Sequence, residues 1–386
     1  MYHFVFEPIF NFYLFGGFIM FLKDVINKLK ENPVPKPLAA LIALALPSRA
    51  AGRIEKVNIY MQKFYDAIAQ FVPEASAKQK RSLSRKLVYN RFVYQIAPAE
   101  YFLFSFENLN DHGKRTYIGD NERWYRFSRM NTEEIFDLFD DKYKTYQLLK
   151  DYFKREIILL KDENDLPAFK AFAQTHEKAL IKPYNESLGR GVYVMDLREP
   201  EFDAETAFHS LIENGNMLVE ELIVQSNELA VFHPASVNSV RYCTFFDGNE
   251  VWGVHSFLRM GSGDSVVDNA GAGGIFAMID IETGIIITAG HSKAGKTFIV
   301  HPDSGVQIVG FHIPRWEELL KLVDNAARLV SFHPYVGWDL ALTDNGWCII
   351  EANARAQLSA SQICDERGRR KHIEDIFGKD LLYKKG

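Results

Sequence analysis

The chain has 386 residues, enough for two or three domains at roughly 150 residues each, and its 47% hydrophobic residues can fill genuine cores. Its formal net charge of −5, with both signs mixed along the chain, excludes the strongly basic character typical of nucleic-acid-binding proteins. Only three cysteines occur, without a Cys-x-x-Cys pair, which disfavours a disulfide framework and a structural zinc site. These features favour a cytoplasmic globular protein that acts on small molecules.

The first 24 residues are apolar, but Glu7, Pro8 and the pair Gly16-Gly17 interrupt them, and no basic segment precedes them. This pattern argues against a signal peptide and against a membrane-spanning helix. Packing against the protein's own core is the simplest interpretation. The alternative is shallow, peripheral attachment to the inner face of the membrane, because several phenylalanines could lie at the depth of the lipid headgroups.

The spacing of apolar residues changes from helical to strand-like along the chain. Helical spacing dominates the first 90 residues, whereas short apolar runs alternate with turns after Asp140. The predicted helices cover 24–30, 38–46, 53–71, 141–153 and 314–332. The predicted strands cover 156–160, 179–183, 191–197, 216–224, 240–246, 251–260, 274–280, 284–290 and 347–353.

Residues 290–297, Gly-His-Ser-Lys-Ala-Gly-Lys-Thr, match the Gly-x-x-x-x-Gly-Lys-(Ser/Thr) signature of a phosphate-binding P-loop. A P-loop works because it opens a helix, whose free amide groups receive the phosphates. After Thr297, however, β-branched residues, Pro302 and a turn at 303–305 indicate extended chain instead of a helix. We therefore interpret Lys296 as part of an exposed hairpin loop and the match as accidental.

A second hairpin presents two acids. Short strands flank a turn at 344–346, and a turn centred on its middle residue would place Asp339 directly opposite Glu351. Facing β-carbons in such a pair are about 4.5–5.5 Å apart, and Asn353 would lie on the same face. A two-residue turn at 345–346 would instead shift the register by one and remove this pairing.

Opposed carboxylates at this range repel each other unless a cation compensates them. Hard oxygen ligands suit Mg²⁺, which keeps water and phosphate oxygens in its shell. We therefore expect Asp339, Glu351 and Asn353 to be metal ligands. The alternative is an ordinary surface hairpin in which Asp339 binds a nearby arginine.

A glycine-rich loop between two predicted strands is the best candidate for binding phosphate. Lys182 ends the first strand, and Ser187, Gly189 and Gly191 follow in the loop. Glycine lets backbone amides approach an anion closely, and a lysine on a strand adds a point charge. An ordinary surface hairpin with two glycines is the alternative.

Other candidates carry weaker signals. The strand at 216–224 could offer backbone groups to an adenine edge. Single residues that could also bind a ligand are Lys144, Glu228, Arg241, Arg259 and Asn269. Glu228 could bind a ribose, and Asn269 precedes a glycine cluster that could pass close to a ligand. The lysine and the two arginines are individually more often surface ion-pair partners than phosphate ligands.

The order of the motifs resembles the ATP-grasp superfamily, and most of all its sugar-transfer-associated ATP-grasp family. The motifs are DKYKTY, LIKPYNESLGRGV, LVEELI, SVNSVRYCTFF, FLRMGSGDSVVDNAGAGG and GWDLALTDNGWCIIEAN, and the resemblance covers about residues 90–360. It implies an α+β ATP-grasp fold, in which two α+β lobes clasp ATP, with a mostly helical N-terminal region. The regions would be 1–140 (helical), 141–222 (small lobe with the glycine-rich flap) and 223–386 (large lobe with the metal site).

The resemblance also implies roles for individual residues. ATP would be held by Lys144, Lys182, Ser187, Gly189, Gly191, Glu220, Glu221, Ile223 and Glu228. Two Mg²⁺ ions would be bound by Asp339, Glu351 and Asn353. The catalytic candidates are Arg241, Arg259 and Asn269. Arg259 would face the γ-phosphate and the developing oxyanion, and Arg241 would bind a substrate carboxylate with its planar fork.

By the same resemblance, the usual reaction transfers the γ-phosphoryl group to a substrate carboxylate, and an amine or another nucleophile then attacks the acylphosphate. The expected partners are small carboxylates and nucleophiles, in polysaccharide or sugar-conjugate biosynthesis. Two alternatives are a phosphotransferase that acts on a hydroxyl and a non-catalytic nucleotide-binding partner of a glycosyltransferase. Residues 1–90 lack the βαβ alternation of the substrate domain in D-alanine ligases, so the resemblance implies no particular acceptor.

Overall fold

The structure is a computed structural model, and it describes residues 33–48, 55–130, 138–184, 191–263, 274–332 and 334–383. Several predictions lie outside these ranges: the helix over 24–30, the apolar N-terminus and the roles of Ser187, Gly189 and Asn269. None of the described helices combines the length and the apolar character that crossing a bilayer requires.

The chain divides into two compact units. The first contains residues 1–129, 294–296 and 357–386, and the second contains residues 130–293 and 297–356. The C-terminal 30 residues, 357–386, thus belong with the N-terminal helices. The division into three regions at 140 and 222 stays a prediction.

The first unit is helical, as predicted for the N-terminal region. Its helices are Lys36–Ala45, Glu55–Phe71, Ala77–Tyr94, Pro98–Leu103, Asp111–Arg115, Asp120–Arg129, Ser359–Cys364, Arg370–Phe377 and Lys379–Leu382. The longest of them begins at a capping box, in which the Gln79 amide accepts a hydrogen bond from the Ser76 backbone and the Ser76 hydroxyl caps the Gln79 N–H. It ends where Gln95 takes a left-handed conformation with a φ of 55°.

An aromatic cluster and a buried amide hold the first unit together. Tyr117 stacks on Phe104 with ring centroids 4.7 Å apart and meets Phe106 edge-on at 5.5 Å. The buried Gln362 side chain accepts from the Ile118 N–H and donates to the Ile118 carbonyl, both at 2.9 Å. The C-terminal helices are therefore joined to this unit by specific backbone recognition.

The second unit contains two antiparallel sheets. The smaller has the strands β1 (Ile157–Leu160), β2 (Lys178–Pro183), β3 (Tyr193–Asp196) and β4 (Met217–Glu221), in the order β1-β4-β2-β3. Helices Leu166–Thr175 and Ala204–Glu213 pack on it through a core that includes Phe169, Phe172 and Phe208. Because β4 is central, its backbone groups are used on both sides.

The larger sheet has seven strands in the order β11-β10-β5-β6-β7-β8-β9. They are β5 (Ser239–Phe246), β6 (Val251–Met260), β7 (Ile275–Ile279), β8 (Gly290–Ser292), β9 (Thr297–Phe298), β10 (Tyr335–Thr343) and β11 (Gly346–Asn353). Helices Lys142–Phe153 and Trp316–Leu329 share a hydrophobic core with this sheet, and the short helix Asn227–Ala230 precedes β5. The predicted helices at 141–153 and 314–332 are thereby confirmed.

Candidate functional site

The hairpin of β10 and β11 places Asp339 directly opposite Glu351, as predicted. The predicted three-residue turn is wrong, however, because Thr343 pairs with Gly346 across a two-residue turn. Next to this turn the strands pair one residue away from the predicted register, with Leu340 opposite Ile349. A β-bulge at Ile350 adds one residue to β11, and beyond it the pairing of Asp339 with Glu351 is as predicted. The expected facing of the two acids therefore arises from two irregularities that compensate each other.

Two strands of the larger sheet, β5 and β6, supply cations to the Asp339 carboxylate on β10. Asp339 is buried, and Arg241 on β5 lies opposite it in the ladder and grips both carboxylate oxygens, with Nη2 at 2.7 Å from Oδ2. Arg259 on β6 places Nη2 at 3.1 Å from the same oxygen and also donates to the Ser239 hydroxyl. Burial by itself would raise the pKa of Asp339, but the two arginines reverse this and hold the pKa below its usual value.

The arginine contact expected for an ordinary hairpin is thus present, but on a buried carboxylate. Glu351 is exposed and makes no ion pair among the residues that the structure describes. Asn353 lies beside Asp339, with its Nδ2 atom 3.4 Å from Oδ2. The described ranges contain no group of three or more His, Cys, Asp or Glu side chains that could hold a metal ion. The metal-ligand role of Asp339, Glu351 and Asn353 stays a prediction.

The charges of this hairpin site are balanced. Asp339 and Glu351 contribute two negative charges, and Arg241 and Arg259 contribute two positive charges. A divalent cation alone would bring an excess of positive charge, whereas a cation accompanied by a polyphosphate would not. The free oxygens of Glu351 fit such a cation. Oδ1 of Asp339 has a second lone pair beyond its contact with Arg241, whereas Oδ2 already receives both arginines and Asn353.

A second charged cluster lies on the smaller sheet. The Lys182 ammonium is 2.9 Å from the Glu220 carboxylate, which is buried in the centre of the sheet. Arg155 completes the cluster, with Nη2 3.0 Å from Glu220. Burial alone would raise the pKa of Glu220, but Lys182 and Arg155 lower it below its usual value. Glu220 therefore fixes Lys182 in place, and the structure shows its side chain occupied by the two cations.

Arg155 was missed by the sequence analysis, and it links the two clusters. Its Nη1 donates to the Ile349 carbonyl at 2.5 Å, and its Nη2 donates to the Ile350 carbonyl at 3.0 Å. These carbonyls belong to the bulge that brings Glu351 opposite Asp339. The only local signal was an arginine two residues before the apolar run of β1, where a buried charge requires partners.

A family model described as sugar-transfer associated ATP-grasp matches residues 121–377, which is more than half of the chain. The chain belongs to this family. The predicted α+β ATP-grasp fold with a helical N-terminal region is confirmed.

Three solved structures match parts of this chain at low similarity. The ATP-grasp ligase PsnB with a minimal precursor is 14% identical, with a TM-score of 0.36, over 59% of this chain and 56% of that chain. An L-amino acid ligase from Bacillus licheniformis is 13% identical, with a TM-score of 0.36, over 59% of this chain and 43% of that one. D-alanyl-alanine synthetase A from Vibrio cholerae is 11% identical, with a TM-score of 0.39, over 65% of each. This chain thus covers 56% and 43% of the first two structures. A comparison with proteins of curated function found no match.

The predicted adenine-binding segment of this ATP-grasp protein leaves β4 and crosses to the larger sheet. Beyond Glu221, the backbone groups of residues 222–224 make no hydrogen bond to another described residue, and the next anchor is the Ser226 N–H on the Leu342 carbonyl at 2.8 Å. Ile223 is half-buried in this stretch. Free donors and acceptors between two sheets are what recognition of an adenine edge requires.

The remaining predicted ATP ligands within the described ranges are exposed. Lys144 has 62% of its side chain exposed and lies 3.4 Å from Asp141, and Glu228 lies on the short helix Asn227–Ala230. Gly191 has a φ of 67°, and a β-carbon there would come within 2.8 Å of the Pro183 ring. Glycine is therefore required where the flap enters β3.

The P-loop match does not form a P-loop in this ATP-grasp protein. Gly290 pairs with Phe298 and His291 pairs with Thr297, so that a strand, a turn and a second strand replace the strand and helix of a Walker fold. The rejection of this motif at the sequence level is confirmed.

We expect Lys296→Ala to leave the affinity for ATP within about twofold of wild type, because the side chain belongs to a hairpin turn. Isothermal titration with MgATP measures this. A loss of tenfold or more, in a variant with unchanged thermal stability, would restore the P-loop interpretation.

Proposed function

We propose that this protein is an ATP- and Mg²⁺-dependent ligase that activates a substrate carboxylate as an acylphosphate for attack by an amine or another nucleophile. The observation that carries the proposal is the pairing of Asp339 with Glu351 in a chain of the ATP-grasp family. The charge balance at this hairpin favours a divalent cation that arrives together with phosphate. Such an ion neutralises charge on the phosphates and holds them in line for transfer.

The positions of the basic residues support binding of the phosphates. Lys182 is held in a fixed direction by Glu220, and Lys144 is exposed on the helix Lys142–Phe153. Residues 221–223 would bind the adenine through their backbone, and Glu228 would bind the ribose. Phosphoryl transfer depends on positioning and charge neutralisation, and the site accordingly offers cations and needs no nucleophilic side chain.

The contacts of Arg241 favour a different role from the sequence-based expectation, whereas the proposed role of Arg259 is unchanged. Arg241 uses Nε and Nη2 on Asp339, so the contacts favour a positioning role over capture of a substrate carboxylate. Arg259 contacts Asp339 through Nη2, and the Ser239 hydroxyl accepts hydrogen bonds from its Nε and Nη2 atoms. Contact of Arg259 with a transferring phosphoryl group or the oxyanion that follows stays the proposal.

The family description associates these proteins with sugar transfer, which supports a role in making a sugar conjugate or polysaccharide. The acid and the nucleophile would then be found among the building blocks of such polymers. Hydroxyls on the same molecules are the acceptors that a phosphotransferase would use instead.

The test is a hydroxylamine trap in the presence of MgATP and a panel of sugar acids and amino acids. A ligase releases ADP in response to one acid, and hydroxylamine converts the acylphosphate into a hydroxamate with loss of phosphate. ADP release with a phosphorylated hydroxyl and no hydroxamate would replace the ligase by a phosphotransferase. Absence of MgATP binding by the intact chain would refute both the ligase and the phosphotransferase function.

A further inference from the structure

The first unit contains a cavity of ≈ 270 Å³ that no role proposed above uses. Its lining includes four cationic side chains, Lys114, Arg115, Arg126 and Arg370, but a single carboxylate, Glu122. Both Arg126 and Arg370 converge on Glu122, at 2.8 Å and 2.7 Å. The excess of positive charge in a partly enclosed space favours an anionic occupant.

Lys114 is the cation in this cavity without an ion pair. Its side chain is half-buried, and its ammonium makes no hydrogen bond or salt bridge to any residue in the described part of the chain. It lies over the rings of Tyr94 and Phe106, 5.7 Å and 5.8 Å from their centroids. Arg115 differs, because Asp111 binds it at 3.1 Å. Lys114 thus keeps hydrogen-bond donors for a ligand.

Gln95 supplies a second, independent observation. Its side chain lines the same cavity and is 3% exposed, and its Nε2 atom has no hydrogen-bond partner among the described residues. A buried amide donor without a partner costs free energy, and a ligand acceptor would remove that cost.

We propose that this cavity binds a small oxyanion, a carboxylate or a phosphate group, through Lys114 and Gln95. Arg370 and Arg126 add a positive field, and the hydrogen bonds of Arg370 to the backbone of Arg115 and Tyr117 keep the wall of the cavity rigid. The site goes beyond the proposed function, since its residues lie in the first unit and none of them is among the ligands proposed above for ATP or Mg²⁺. Lys114 and Gln95 also precede the residues matched by the family model.

The experiment is isothermal titration of the full chain with succinate, citrate and inorganic phosphate at constant ionic strength, without nucleotide. We expect saturable binding of at least one of these anions. Lys114→Met is expected to weaken it tenfold or more, and Gln95→Glu is expected to weaken it similarly through repulsion. Lys78→Met is the matched control, because Lys78 is exposed and does not line the cavity. Melting temperatures without ligand show that each variant is folded.

The outcomes separate this site from the nucleotide site. Lys182→Met should lose affinity for MgATP and keep the affinity for succinate or phosphate, whereas Lys114→Met should show the reverse. Succinate binding without phosphate binding would assign a carboxylate ligand, and the opposite result a phosphate ligand. Absence of saturable binding of all three anions, or equal binding by wild type, Lys114→Met and Gln95→Glu, would overturn the proposal.

Discussion

Glu351→Gln is expected to reduce ATP turnover at least about 100-fold, which corresponds to ~2.7 kcal/mol of activation free energy. The variant keeps the shape of the side chain but removes one of the two negative charges that face each other across β10 and β11. A neutral amide is a poorer ligand for Mg²⁺, and the charge balance with Arg241 and Arg259 becomes unfavourable for a cation. Steady-state ADP release at saturating acid and MgATP measures the change.

The fold should survive this substitution, because Glu351 is exposed and makes no ion pair within the described ranges. A change of no more than about 0.5 kcal/mol in the free energy of unfolding is typical of such a position. Glu250→Gln, an exposed glutamate beside β6, is the matched control and should retain full turnover. Wild-type turnover in Glu351→Gln would refute its assignment as a metal ligand.

Arg155→Met is expected to destabilise the protein by about 3–5 kcal/mol. The arginine is buried, binds the Glu220 carboxylate and donates to two carbonyls of the bulge in β11. Its removal leaves Glu220 with Lys182 alone and leaves buried acceptors without donors. Urea unfolding followed by circular dichroism measures the loss.

Arg198→Met is the control for a lost contact to backbone carbonyls. Arg198 also donates to backbone carbonyls, those of Ala173, Gln174 and Leu197, but it is exposed and has no buried carboxylate partner among the described residues. We expect its replacement to cost about 1 kcal/mol or less. Equal losses in the two variants would show that the buried ion pair of Arg155 contributes nothing extra to the free energy of unfolding.

The double variant Arg155→Met, Glu220→Gln should be more stable than Arg155→Met alone, because the buried charge of Glu220 that lost its arginine partner is gone.

The sequence by itself determined the parts of this protein that depend on local pattern. Helical spacing predicted the helices at 38–46, 53–71 and 314–332, and the absence of a helix after Thr297 was enough to reject the P-loop. The ordered string of motifs indicated the ATP-grasp family. Each of these signals lies within a few consecutive residues, where periodicity and turn chemistry operate.

Only the tertiary structure decided how the charges are compensated. Arg241 and Asp339 are 98 residues apart in the chain, and they meet because β5 and β10 are neighbours in the sheet. Strand order follows from packing of the whole core, so the local spacing of residues cannot predict this ion pair. The same holds for Arg155, whose partners Glu220 on β4 and Ile349 on β11 lie 65 and 194 residues away in the chain. Its contacts with β11 are made at the bulge that sets the register of Glu351. Local pattern therefore predicted the hairpin and its two acids, whereas the bulge and the long-range contacts determined that these acids face each other and that two arginines bind Asp339.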